Sequence, residues 1–193
     1  MGIPGVMGLG QLLALFNAGT VSRLGGTVMQ NAGLASDVVS WIGQFDNIFV
    51  LGGIPNYQGA DAASFRFGNN VGVVDTGANY WWRSLFVPAG SQTISENAGG
   101  AAATLIQMGE ATAQGRAFAF HMINFPTKNK TLKAWNAVGL ANSSVVGAAM
   151  LSLEGGWSNV AGPVQCMQMI TLSKNMGPGA NFSVWGVNSQ NPY

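Results

Sequence analysis

Charge is what this 193-residue chain has least of. Eight lysines and arginines, seven acids and one histidine leave 8% of residues charged, against about a quarter in an ordinary soluble domain. With a net charge of +1, little long-range repulsion keeps copies apart, which suits a protein that lives against copies of itself or a scaffold. The basic residues are scattered and only Lys128, Lys130 and Lys133 come close together, so no nucleic-acid partner is expected. The single cysteine, Cys166, rules out an intrachain disulfide and, within an apolar run, reads as a buried inert thiol. With one histidine and no cysteine pair, zinc and transition-metal sites are disfavoured, and no cofactor is expected. There is no Gly-x-Ser-x-Gly elbow and no phosphate loop. Long apolar runs are missing too. Residues 1–22 carry no charge, but Gly2, Pro4, Gly5, Gly8, Gly10, Gln11 and Asn17 interrupt them, short of the ~20 apolar residues a spanning helix needs. No basic residue precedes Leu12, as an export signal would want. Neither membrane insertion nor export is expected.

What is present is glycine, 28 residues of it, in a chain that is 48% hydrophobic. Enough apolar surface exists for a sizeable core, and glycine between β-branched and aromatic runs predicts many short strands joined by tight turns. Two regions are expected. Residues 1–36 read as a greasy N-terminal arm, with one short helix near Gly10–Ala18 because Leu9, Leu12, Leu13 and Phe16 recur at helical spacing and Gly19 follows. Those four side chains are the expected anchors by which the arm docks onto its own domain or a neighbour. Residues 37–193 read as a β domain.

Strands are expected at 38–42, 45–51, 62–67, 79–87, 104–108, 117–123, 132–138, 145–153, 164–172 and 181–187, with Gly52–Asn56 a turn, Gly68-Asn69-Asn70 a turn of positive φ, and residues 91–101 a polar loop. In 79–87, Tyr80, Trp82, Ser84 and Phe86 share one face; in 117–123, Phe118, Phe120 and Met122 point inward and His121 outward. Nine or ten short strands predict an all-β fold, a jelly-roll-like antiparallel sandwich.

Groups able to do chemistry are few. His121 stands alone in mid-strand, and the seven acids are dispersed. Val73-Val74-Asp75-Thr76-Gly77-Ala78 looks like the active-site turn of retroviral-type aspartic proteases, which pair two such aspartates. No second turn of that kind follows, and Asn79-Tyr80-Trp81-Trp82 comes next. The protease stays a remote alternative.

The stretch Phe65-Arg66-Phe67-Gly68-Asn69 through Asp75-Thr76-Gly77-Ala78-Asn79-Tyr80 resembles a module of tailed-bacteriophage structural proteins, in which Arg-Phe-Asn-Gly leads into Asp-(Ser/Thr)-Gly-x-Asn-Tyr and an aromatic strand. Here Gly68 and Asn69 are swapped and Asn70–Val74 intervene. Ile48–Pro55, Phe120–Phe125 and Asn181–Gly186 resemble the module's opening, middle and closing strands. The resemblance spans about residues 38–187 and implies a non-enzymatic virion subunit: a capsid decoration or cement protein, or a fibre component. It would form homo-oligomers, trimers by expectation, and bind other virion proteins. The resemblance brings no catalytic residues, and Asp75 and Gly77 become a structural turn. The alternative is a host-surface glycan-binding module of a tail fibre. Its contacts, or those of a subunit interface, would be Trp81, Trp82 and Trp157; adjacent Trp81 and Trp82 cannot both face inward in a regular strand.

Overall fold

The computed structural model describes residues 21–42, 45–55, 63–87, 93–106, 116–123, 133–143, 147–158 and 162–187. These hold twelve strands: β1 Val21–Val28, β2 Val39–Ser40, β3 Asn47–Ile54, β4 Ala63–Gly68, β5 Tyr80–Val87, β6 Thr93–Gly100, β7 Ala103–Ile106, β8 Arg116–Ile123, β9 Lys133–Ser143, β10 Gly147–Trp157, β11 Cys166–Ile170 and β12 Asn181–Val187. No helix occurs among the described residues. The strands form two antiparallel sheets, one of eight in the order β1-β12-β3-β8-β9-β10-β5-β6 and one of four in the order β2-β11-β4-β7.

Four of the pairings define the topology: β1 with β12, β2 with β11, β3 with β8, and β4 with β7. The first strands of the chain thus pair, in reverse, with the last. A ribbon paired in that way and rolled up, so that successive pairs fall in opposite sheets, is a jelly roll. The hairpins β5–β6 and β9–β10 are additions, and both extend the large sheet beyond β8.

Alternation along the strands supplies the core. Phe118, Phe120 and Met122 are 4%, 2% and 0% exposed, while Ala117 and Ala119 face solvent and His121 is half-buried, as the period-2 pattern predicts. Phe65 of the small sheet meets Phe182 and Phe118 of the large sheet edge-on, at centroid distances of 5.1 and 5.7 Å. Edge-to-face aromatic contacts of this kind tie two sheets together beyond simple area burial.

The structure departs from the sequence expectation in four places. Residues 21–36, read as arm, are part of the sandwich: Val21–Val28 pairs with β12, Ala35 bridges Ile170, and the Ser36 hydroxyl accepts from Met169 N–H at 3.1 Å. The second departure is Thr93–Gly100, which is a strand rather than a polar loop. Both β1 and β6 are sheet edges, where one row of backbone hydrogen bonds suffices and no apolar alternation is needed. Third, Gly52 and Gly53 lie inside β3; a Cβ on Gly52 would run into the Asn181 carbonyl and the Phe118 ring, so this glycine serves close packing rather than a turn. Fourth, the positive φ after β4 belongs to Gly72, at 79°, and not to residues 68–70. The expected helix at 10–18, with Leu9, Leu12, Leu13 and Phe16, lies outside the described residues.

Candidate functional site

Asp75 sits between the loop that leaves β4 and the start of β5. Its N–H donates to the Phe67 carbonyl at 2.7 Å. Oδ1 accepts the Gly77 N–H at 2.8 Å, closing the local turn in the manner usual for aspartate. Oδ2 accepts from Asn79 Nδ2 at 2.7 Å and from Trp157 Nε1 at 2.8 Å. The Asp75 carbonyl takes the Tyr80 hydroxyl proton at 2.9 Å, and that same hydroxyl accepts the Phe67 N–H at 3.0 Å. Tyr80 in turn stacks on Trp157, with centroids 6.3 Å apart. Burial pushes the Tyr80 phenol well above its usual range, so it stays a neutral donor. The turn therefore locks β4, β5 and the end of β10 together. Both carboxylate oxygens accept from N–H groups fixed by the fold. That is the arrangement of a cap, whereas a proteolytic aspartate must share a proton with a second carboxyl.

Of the three tryptophans expected at an interface or sugar site, Trp157 requires correction. It is fully buried, because alternation with Leu153 and Gly155 turns it to the inner face, where Asp75 engages its indole. Trp82 is half-buried and packs against the core. Trp81 is half-buried on the outer face, flanked across the ladder by Gly156 on β10 and Ala98 on β6. Cys166 is buried, and its thiol donates to the Asn70 carbonyl at 3.1 Å. Burial raises its pKa, which keeps it a thiol and a poor nucleophile.

The outer face of the large sheet carries the residues that sequence reading passed over. Register aligns them in rows across the strands. One row runs, by register, Phe49, His121, Asn136, Glu154, Arg83, Glu96. Phe49 and His121 stack at 4.5 Å with planes 9° apart, and His121 Nε2 lies 3.0 Å from Asn47 Oδ1. The next row runs Leu51, Ala119, Val138, Ser152, Leu85, Ile94, and its four large apolar members are exposed. Only the pairing register assembles these rows; within each strand the residues read as isolated outward positions.

His121 gives a pH prediction. Burial lowers its pKa from 6.5, so the folded state favours the neutral ring. Its contribution is full above pH 6.5 and declines as pH falls toward the lowered folded value, because the unfolded chain binds the proton first. The urea midpoint should fall between pH 6.5 and the onset of carboxylate titration, and His121→Asn should flatten that step. An identical slope in the variant would remove His121 as its source.

Among the described residues, no three or more His, Cys, Asp or Glu side chains gather as metal ligands would, and no helix is long and apolar enough to cross a membrane. Comparison with known proteins finds no matching family model, no matching curated protein and no matching solved structure.

Proposed function

We propose that this chain is a non-enzymatic structural subunit of a virus particle, of the capsid decoration, cement or fibre kind found in tailed phages. It works by associating with copies of itself and docking onto other virion proteins, in a virion assembled in the host cytoplasm. The observation that carries this reading is the outer face of the eight-stranded sheet. An in-register apolar row lies exposed there, Leu51, Val138, Leu85 and Ile94, in a chain with 8% charged residues. A solitary soluble domain ordinarily breaks up such a row with charges. In a particle built from many copies, symmetry multiplies each weak contact. The phage resemblance of the segment Phe65–Tyr80 supplies the particle, and the uncharged segment 1–20 supplies apolar anchors to it.

The test is localisation and mass. The purified protein should sediment as an oligomer, and antibody labelling should decorate particles in electron micrographs. Replacing Leu12, Leu13 and Phe16 with aspartate should abolish particle loading while leaving the thermal melt of the sandwich in place. Normal loading of that variant would remove the arm as anchor, and unlabelled particles would remove the virion reading.

One observation favours glycan binding as a second reading: Trp81 is part-exposed on the outer face opposite Gly156 of β10, which has no side chain to cover an indole. A glycan array with no hits, or hits unaffected by Trp81→Ala, would end it.

A further inference from the structure

We infer that the outer face of the large sheet makes a two-fold contact between copies, centred on Glu154 and Arg83; the inference rests on the self-association proposed above and names its surface. Three observations lead to it. Three exposed large apolar side chains lie on the strands β9, β5 and β6 of this face: Val138 at 46%, Leu85 at 36% and Ile94 at 72% exposure. Ser152 between Val138 and Leu85 and Ala134 farther along β9 are exposed and too small to hold a second sheet away. The third observation is charge. Glu154 on β10 and Arg83 on β5 are direct cross-strand partners, and both are exposed.

An isologous contact brings one patch against itself. For two sheet faces to meet, the axis must lie in the plane between them. Running along the strands, it can pass through a strand or between two. Through β10 it would set Glu154 on the partner's Glu154, and through β5 it would set Arg83 on the partner's Arg83. Between β10 and β5 it sets Glu154 on the partner's Arg83 and Arg83 on the partner's Glu154. Glu154 and Arg83 then each oppose an unlike charge across the contact, and the register position of Glu96 on β6 comes over the partner's neutral Asn136. The same axis lays each row on itself. Val138 of β9 meets the partner's Ile94, and Leu85 meets the partner's Ser152. An axis between β5 and β6 would also set Arg83 over the partner's Glu96 position, but β6 is the sheet edge and only two strands would overlap, so the axis between β10 and β5 is the one that matches charge over four strands.

The overlap covers β9, β10, β5 and β6. Four strands at ~4.8 Å spacing and about eight residues of length give on the order of 500 Å² per copy. That is the low end for a specific interface, so the contact should be reversible in solution and firm only where a particle multiplies it.

The test uses the full-length chain in sedimentation velocity and native mass spectrometry. The unmodified protein should form even-numbered oligomers that grow with concentration. R83E places two acids over two acids, and E154R two bases over two bases, so each alone should weaken association at least tenfold. Mixing the two variants should restore it, in hetero-oligomers holding one of each, because acidic and basic positions again oppose. An intrachain pair alone would give no rescue on mixing. V138D is the second probe, expected to weaken association without charge reversal. A single cooperative urea transition establishes that each variant folds, with the midpoints of R83E and E154R lowered by the like charges now opposed within their own sheet.

Absence of rescue overturns the inference. So does loss of association in a Leu12→Asp, Leu13→Asp variant while R83E and E154R still assemble, since the arm would then be the occupant. A strict trimer overturns the two-fold contact and leaves self-association standing. A monomer at every concentration overturns both.

Discussion

Asp75→Ala should lower the free energy of unfolding by about 3 kcal/mol, measured by urea denaturation at neutral pH. The variant loses three acceptances at once: from the Gly77 N–H, from the Asn79 amide and from Trp157 Nε1. The first two donors stand near solvent and can turn to water. The indole cannot, because Trp157 is fully buried. A buried donor left without a partner costs about 1–3 kcal/mol, and bonds to a charged acceptor are worth about 1.5–3 kcal/mol each. Asp75→Asn should cost less, about 1.5 kcal/mol, since one side-chain oxygen still accepts while the new amide turns a donor toward other donors. The cycle with Trp157→Phe should show coupling of about 1 kcal/mol or more, because removing the indole N–H removes the group that Asp75 satisfies. A change under ~0.5 kcal/mol for Asp75→Ala would sink the capping role. The same variants bear on the protease alternative. A catalytic aspartate changed to asparagine loses cleavage and keeps its stability, whereas a cap loses stability.

Legibility in the sequence followed how local each interaction is. Strand β8 was readable because Phe118, Phe120 and Met122 alternate with smaller or polar residues and the central position of the strand lets burial act on one face. Strands β1 and β6 were not, since an edge strand needs only one neighbour and VSRLGGTV and TISENAGG carry no apolar alternation. The jelly-roll class follows from strand count and turns, but its pairing scheme joins the two ends of the chain, and no local pattern encodes that β1 meets β12. The Asp75 turn divides the same way. Its near half, the cap on Gly77 two residues on, is written in Asp-Thr-Gly. Its far half is Trp157, 82 residues away, and only the fold brings it there. Trp157 was therefore misassigned to the surface: as one aromatic among several it carries no sign of which face it takes until Leu153 and Gly155 fix the parity of β10. The outer-face rows are the extreme case. Arg83 and Glu154 become neighbours through the insertion of both hairpins into one sheet.

Gly68→Ala should destabilise the fold by about 3 kcal/mol, at the upper end of what one added methyl costs in a packed interior. Gly68 ends β4, and its backbone is ordinary in φ, so the cause is space and not conformation. A Cβ there would overlap the Val73 carbonyl and approach Cys166 Sγ to 2.6 Å. A flexible side-chain tip can give way to a methyl; Val73 is main chain. It is held by its own N–H bond to the Asn70 carbonyl at 3.2 Å and by the Cys166 thiol at 3.3 Å. The Gly72 N–H ties the same loop to Ser40 Oγ at 2.9 Å. The methyl must therefore lift the loop 69–74 as a unit, and that loop delivers Asp75 to Trp157. The two lesions should overlap: Gly68→Ala combined with Asp75→Ala should cost at least 1 kcal/mol less than the separate effects added, because a displaced loop has already loosened the cap. Strict additivity would mean that the loop absorbs the methyl without moving Asp75. Full stability of Gly68→Ala would contradict the close approach itself. If the coupling holds, the placement of Gly68 has a physical reading. The glycine is placed where β4 passes under its own loop, and that passage sets the turn on which β4, β5 and β10 converge.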